Sequence, residues 1–353
     1  MTINQTLLFL PIFLLFILTT TNAQPFSCKA SSKCTSMIDY VSPNDTTISN
    51  ITSLFGISKN LLSYLGANNL PPTTLPSFPI KAKQTVKIPF PCKCANGTGT
   101  SDGVPVYKVV PDDGLFHIAS EVFGGLVLYQ QIQTANNISD PNKILIGQEL
   151  KIPLPCSCDE VDDEPVIHYG HIVTVGSSVE GIAKQFDTTQ ETLLKLNALP
   201  APADLKAGAV LDVPLKACKS SILPTSRDYP LLVSNGSYVY TAGNCVQCKC
   251  DAANNYTLQC EPSTMKSSIW PSCPNTQCGR VFLGNGTSSG CSSTTCAYQG
   301  YDNQKILTNL TTVSTCATSS PPSSATNISS LGWRWNFLLV AVQLVLLSLH
   351  LLQ

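Results

Sequence analysis

The sequence predicts an α+β protein: three tandem strand–helix–helix–strand modules interlocked by disulfides, followed by a small Cys-rich, mainly β domain. Three observations carry this prediction. Ile88-Pro89-Phe90-Pro91-Cys92-Lys93-Cys94 returns as Ile152-Pro153-Leu154-Pro155-Cys156-Ser157-Cys158, and again in weaker form as Val213-Pro214-Leu215-Lys216-Ala217-Cys218. Upstream of each string lies Asn68-Asn69-Leu70, Asn136-Asn137-Ile138 or Asn197-Ala198-Leu199, and Ile118-Ala119-Ser120-Glu121-Val122-Phe123 matches Ile182-Ala183-Lys184-Gln185-Phe186. The chain also holds 16 cysteines, an even number that suits a fully paired framework in an oxidising compartment.

In chain order, residues 7–20 form an apolar run, and Thr21-Asn22-Ala23 follows with a small residue at the end. That pattern predicts a secretory signal over residues 1–23, although no Lys or Arg precedes the run. The first module occupies residues 24–94, the second 105–158 and the third 165–218. The second is the clearest. Tyr107-Lys108-Val109-Val110 alternates like a half-buried strand, and Pro111-Asp112-Asp113-Gly114 breaks it. Leu115, Ile118, Ala119 and Val122 recur at helical spacing, Gly124-Gly125 ends that helix, and a second helix covers residues 127–135. Asn136-Asn137 suits a left-handed cap, and residues 149–153 read as the closing strand. Two strands alone are marginal in water, so the helices and the disulfides must supply the remaining stability.

Residues 219–318 form the Cys-rich domain, with Ser237-Tyr238-Val239-Tyr240 and Tyr256-Thr257-Leu258-Gln259 read as strands around Cys245-Val246-Gln247-Cys248-Lys249-Cys250. The Cys-x-x-Cys spacing has no βαβ context for redox chemistry, and structural disulfides are expected. Residues 319–324 are a Ser/Pro linker. At its end stand the small residues Ser323-Ser324-Ala325-Thr326, followed by a polar spacer over residues 327–336 and an apolar tail over residues 337–352. This is the pattern of a GPI-attachment signal, with Ser324 as the attachment residue and residues 325–353 as the propeptide. Eight sequons, at Asn44, Asn50, Asn96, Asn137, Asn235, Asn255, Asn285 and Asn309, predict a glycosylated surface.

A net charge of -1 with 12% charged residues leaves no electrostatic footprint for nucleic acid. No catalytic constellation is expected either. The acidic cluster Asp159-Glu160 and Asp162-Asp163-Glu164 reads as a solvated linker, and His117, His168 and His171 have no nucleophile or metal-ligand spacing around them. A zinc reading of the Cys-x-Cys pairs is disfavoured in a secreted chain, and no metal or cofactor is implied.

Strand, polar turn, Ile-Ala-x-x-x-Phe, a helix ending in Asn, then Gly147 and Glu149-Leu150-Lys151-Ile152-Pro153 together resemble the LysM module. Three such units separated by Cys-x-Cys pairs, with a signal and a GPI tail, resemble the plant LysM domain-containing GPI-anchored proteins over residues 26–218. Spacing alone leaves several cysteine connectivities open. The resemblance implies Cys28 with Cys94, Cys34 with Cys158, and Cys92 with Cys156.

It further implies a non-enzymatic receptor on the outer face of the plasma membrane that binds chitin (N-acetylglucosamine) oligosaccharides in innate immunity, with peptidoglycan as the alternative ligand for bacterial sensing. A transmembrane LysM receptor kinase would carry the signal inward, and a long oligomer would bring two copies together as a ligand-induced homodimer. In such modules the sugar lies in a shallow groove between two loops. Carried onto the second module, the candidates are Asp113, Gly114, Leu115, Asn136, Ile138, Asp140, Pro141 and Ile144. Ile138 and Ile144 would meet an acetyl methyl, and Gly114 would let backbone approach the sugar. Asn137-Ile138-Ser139 places a sequon within that loop. The third module offers Val175-Gly176-Ser177-Ser178 and residues 197–204. The first, with Pro43-Asn44-Asp45-Thr46 and a Pro-rich insert over residues 71–79, diverges most. The modules rank second, third, first as binders.

Overall fold

The computed structural model describes residues 26–29 and 32–314. The signal region, Ser324 and the GPI propeptide lie outside the described residues. Three times the chain runs strand, helix, helix, strand. The first pass is Lys33–Val41, Ile48–Leu54, Leu61–Ala67 and Thr85–Ala95. The second is Val106–Lys108, Leu115–His117 widening into one π turn over Ile118–Val122, Tyr129–Ala135 and Glu149–Lys151. The third is Val166–Ile172, Val179–Gln185, Gln190–Leu196 and Val210–Lys216.

These helices are too short to be stable alone, and their caps and packing hold them. Thr47, Ser178 and Thr189 accept hydrogen bonds from the amides of Asn50, Gly181 and Thr192 at 3.3, 3.0 and 3.0 Å, each cap being worth about 1 kcal/mol. At the far end one device recurs. Asn68, Asn136 and Asn197 each donate to the carbonyls of the helix residue four back and of the closing strand, and each accepts that strand's amide, all at 2.7–2.9 Å. The next residue is left-handed every time, at Asn69, Asn137 and Ala198.

The first and third units share one six-stranded sheet, ordered Phe26–Ser27, Thr98–Ser101, Thr85–Ala95, Lys33–Val41, Val166–Ile172, Val210–Lys216. The pairing that joins the first unit to the third is parallel, with Met37 opposite Tyr169 and Ile38 opposite Gly170. Gly170 is required there, because a Cβ would stand 2.9 Å from the Ile38 side chain. The second unit pairs its own two short strands, touches the large sheet through a single bridge from Pro155 to Thr100, and shares its core with the first. Phe55 meets Tyr40 and Phe123 edge-on at 5.1 and 5.6 Å, and Ile118, Leu126, Ile132 and Leu150 join the same buried cluster. The third unit builds its own core and borrows Met37 and Ala67 from the first.

One disulfide closes the first unit on itself, and two join it to the end of the second. Cys28 is bonded to Cys94, Cys34 to Cys158 and Cys92 to Cys156, with sequence separations of 66, 124 and 64 residues. In the chain-entropy account, loops of this size contribute roughly 4–5 kcal/mol each when closed singly. Every described cysteine is bonded. Sulfurs of Cys34, Cys92 and Cys158 lie within 4.8 Å of one another, but all three are engaged in bridges.

From Cys218 onward the chain forms a sheet of Ser237–Thr241, Val246–Cys250 and Gln259–Pro262, stapled by Cys218–Cys250, Cys245–Cys273, Cys248–Cys260 and Cys278–Cys296. The strand expected at Tyr256 begins only at Gln259, because Asn255 and Tyr256 are both left-handed at φ 52°. Two compact units divide the chain; the second consists of Thr287–Thr294 and the segment from Thr312, joined internally by the Thr294 and Thr312 hydroxyls at 3.0 Å.

Within the larger unit the Cys-rich region packs against the Leu61–Ala67 helix. The Tyr238 hydroxyl donates to the Leu70 carbonyl, and a Cβ on Gly66 would lie 2.0 Å from the Tyr238 carbonyl oxygen. Helix propensity alone would make Gly66→Ala stabilising by about 1 kcal/mol. This contact reverses the sign: the variant is expected to lose about 1–3 kcal/mol, read as a lower calorimetric melting temperature of the secreted protein.

Candidate functional site

In each unit the two loops that follow the first strand and precede the last are tied at their base by a reciprocal pair of backbone bonds. Ser42 N donates to Gln84 O at 3.1 Å and Lys83 N to Ser42 O at 2.7 Å. Val109 N donates to Gln148 O at 2.9 Å and Gly147 N to Val109 O at 2.8 Å. Val173 N donates to Ala209 O at 2.9 Å and Gly208 N to Val173 O at 2.8 Å. The donor closing each pair has positive φ, which explains Gly at 147 and 208.

Above this common base the loops differ. In the first unit they are zipped together. Thr46–Thr47 pairs with Pro79–Ile80, Ile48 N and Ser49 N donate to Phe78 O and Pro76 O at 3.1 and 2.8 Å, and Asp45 holds the Ala82 amide and the Lys81 ammonium, both at 2.9 Å. Among the described residues no backbone hydrogen bond spans residues 110–115 and 138–146, or residues 174–178 and 197–206. The loops of those two units are thus tied at the base without the backbone bonds that zip the first pair.

In the second unit the sequence-derived candidates separate by environment. Asp113 is structural: its side chain is 2% exposed, and its Oδ2 accepts from the Tyr107 hydroxyl at 2.9 Å and the Val110 amide at 2.8 Å. Burial first, and this carboxylate second, push the Tyr107 phenol up to about 12. Leu115 lies in the core, and the Asn136 amide is spent on the strand clamp. Gly114 begins the helix in extended geometry, and a Cβ there would meet nothing within 4 Å. Ile138 and Ile144 are half-buried against the main core. Asp140 accepts from the Asn142 amide at 3.0 Å and pairs with Lys143 at 3.2 Å, contacts that hold its carboxyl below the usual range. Pro141 is half-buried beside it, and Asn137 is exposed.

The sequence reading missed the most exposed apolar side chains. Leu145 and Ile146 are each 72% exposed, Phe116 69% and Val110 49%. Val110 and Ile146 adjoin Val109 and Gly147, the two residues bonded at the loop base, so both loops present bare hydrocarbon at one place. The signal was present in Ile144-Leu145-Ile146, three consecutive apolar residues in a turn that cannot bury them all. In the third unit Val175 stands 92% exposed.

The LysM domain family matches residues 107–153 and 171–214. A LysM domain-containing GPI-anchored protein 2 of Arabidopsis thaliana is 47% identical over 330 residues, covering 93% of this chain and 92% of that protein. The chain belongs to the LysM domain-containing GPI-anchored proteins. The chitin elicitor-binding protein of Oryza sativa subsp. japonica is 44% identical over 297 residues, 83% of this chain and 82% of that one. Among solved structures, the ectodomain of a receptor-like kinase aligns at 19% identity with a TM-score of 0.44, over 53% of this chain and 94% of that one. No described helix of this family member is long and apolar enough to cross a membrane.

Two histidines of this LysM protein, His168 and His171, are tied into its architecture. His168, 1% exposed, joins Asp212 through Nδ1 at 2.9 Å and the Asp159 carbonyl through Nε2 at 2.8 Å. His171 meets Asp39 at 2.7 Å. Asp159, expected in a solvated linker, accepts the Lys29 amide at 2.8 and 3.0 Å. Burial disfavours the His168 charge, but Asp212 and the Asp159 carbonyl outweigh it and raise the pKa above the ordinary value. A raised folded pKa gives stabilisation that is complete below the unfolded value, about 6.5, and lost as pH rises through the folded one. The melting-temperature advantage of the native protein over His168→Gln is therefore expected to shrink as pH rises through that window, measured by circular dichroism melts in pH steps.

Proposed function

We propose that this protein is a cell-surface receptor for N-acetylglucosamine oligomers of the chitin class, bound between the loops of its second LysM module. The observation that carries the reading is the pair of tied but unzipped loops bearing Val110, Leu145 and Ile146 at their rim. A shallow site with bare hydrocarbon and free backbone groups suits a neutral sugar with acetamido methyls. Ile138 and Ile144 form the floor on this reading, Gly114 leaves room for backbone approach, and Asp140 and Pro141 shape the second loop.

Three LysM modules are proposed, although the family matches only two, because the Asn clamp and the reciprocal loop bonds recur in the first unit. Its zipped loops support ranking it last as a binder. Anchorage by GPI at Ser324 gives the protein no part inside the cell, so signalling needs a transmembrane partner. A LysM receptor kinase is proposed, supported by partial similarity to a protein named chitin elicitor receptor kinase 1 of Physcomitrium patens, 24% identical over 151 residues. Weak single sites gain avidity when one long oligomer joins two copies. Peptidoglycan fragments, which share N-acetylglucosamine, are the second candidate ligand.

Calorimetric titration of the phospholipase-released protein with chitin oligomers and peptidoglycan fragments tests the reading. Affinity is expected to rise with chitin length. Leu145→Glu and Ile146→Glu are each expected to cost about 1–3 kcal/mol of binding, roughly 5- to 150-fold in affinity, with an unchanged melting temperature. Preference for peptidoglycan would move the function to bacterial sensing, and unchanged binding in both variants would move the site away from this rim.

A further inference from the structure

A cleft of about 660 Å³ opens where the first module, the third module and the Cys-rich region meet, inside the range of about 300–1,000 Å³ usual for small-ligand sites. It is separate from the loops of the second module. Its walls carry rings: His171 and Phe186 stand edge to face at 5.1 Å, and Tyr256 is held by a hydroxyl bond to Asp187 at 3.0 Å. The Lys216 ammonium covers the Tyr256 ring 4.4 Å from its centre. Between the rings lie polar groups. The Thr174 and Ser177 hydroxyls, 2.8 Å apart, line it. So does Lys87, half-buried, with no carboxylate within ion-pair distance among the described residues. Burial holds this lysine below the usual range, which marks an ammonium short of solvent. Rings for apolar sugar faces and scattered single hydrogen-bonding groups are the lining a neutral saccharide needs.

Asn235 is also on this wall, and of the eight sequon asparagines named above it alone is. It is exposed, and its Oδ1 accepts from the Ala252 amide at 2.9 Å. That bond orients the side chain and leaves Nδ2, the atom that carries an N-linked glycan, without a role in the fold. The first two sugars of such a glycan are β1,4-linked N-acetylglucosamine residues, chemically a chitin disaccharide. Tethered at the rim, they would meet the cleft at an effective concentration on the millimolar scale.

We infer that the glycan on Asn235 lies back into this cleft, its N-acetylglucosamine core packed against Tyr256 as an internal ligand joining the first module, the third module and the Cys-rich region. The site is thus occupied by the protein's own sugar and is not a second receptor site for soluble oligomers. This inference does not depend on what the second module binds.

The test uses the intact glycosylated protein in detergent. Site-resolved mass spectrometry first reads occupancy, and then the rate at which a peptide N-glycosidase releases each glycan under native conditions. Asn235 is expected to be occupied and to release at least tenfold more slowly than Asn44 and Asn285. After denaturation the three should release alike. In Tyr256→Ala, with secretion and melting temperature checked, the native rate at Asn235 should rise toward that of the other two. An unmodified Asn235, a native release rate equal to the others, or a slow rate untouched by Tyr256→Ala would each overturn the inference.

Discussion

The architecture depends on one strand, Lys33–Val41, being buried on both faces and paired on both edges. Ser36 to Tyr40 are all buried, and two of those five residues are polar. A buried hydroxyl or carboxylate without a partner costs several kcal/mol or neutralises itself, and the partners are supplied from more than 130 positions away. The Ser36 hydroxyl donates to the His168 carbonyl at 2.6 Å. Asp39 receives the Ile172 amide at 2.9 Å and the His171 ring at 2.7 Å. The first unit is therefore incomplete without the third, and the parallel register between them satisfies both polar side chains. Cys34, on the same strand, locks that arrangement to Cys158.

This constraint explains the odd position of the second unit. Its strands join no neighbour in the large sheet, yet it cannot drift, because its flanks are held through Cys92–Cys156 and Cys34–Cys158 and its helices share aromatic contacts with Phe55. Tying a module by its ends and one face leaves its loops bare. In the first unit the corresponding loops are consumed by the Pro-rich insert, which reaches across to Ile48 and Ser49. Similar local chemistry thus yields one zipped and two unzipped loop pairs.

Much of this was legible in the sequence. Recurring strings located the modules, and helix spacing and Asn pairs located their elements, because those signals are local. What was not legible is long-range or depends on what a side chain is already doing. Asn136 and Asp113 stand in the candidate loops and look available in one dimension. In space their polar atoms are engaged by Lys151, Tyr107 and Val110. Leu145 and Ile146 look like core residues by type and are left outside, because the adjoining turn through Gly147 commits its backbone to Val109. Tyr256 has the composition of a strand residue, but the Asn254 amide bond to Asp251 and the left-handed pair that follows turn the chain before the strand begins.

The placement of the Cys bridges has a consequence for survival outside the cell. One segment open to attack by a protease is the bare loop around Leu145 and Ile146. A cut there falls between Cys92 and Cys156, and also between Cys34 and Cys158. Both halves of a nicked chain stay covalently joined by two bonds, and the sheet that unites the first and third units contains no residue of the severed loop. A chain cut in this loop would remain one covalent molecule, opened in its second module and intact in the sheet that joins the first and third.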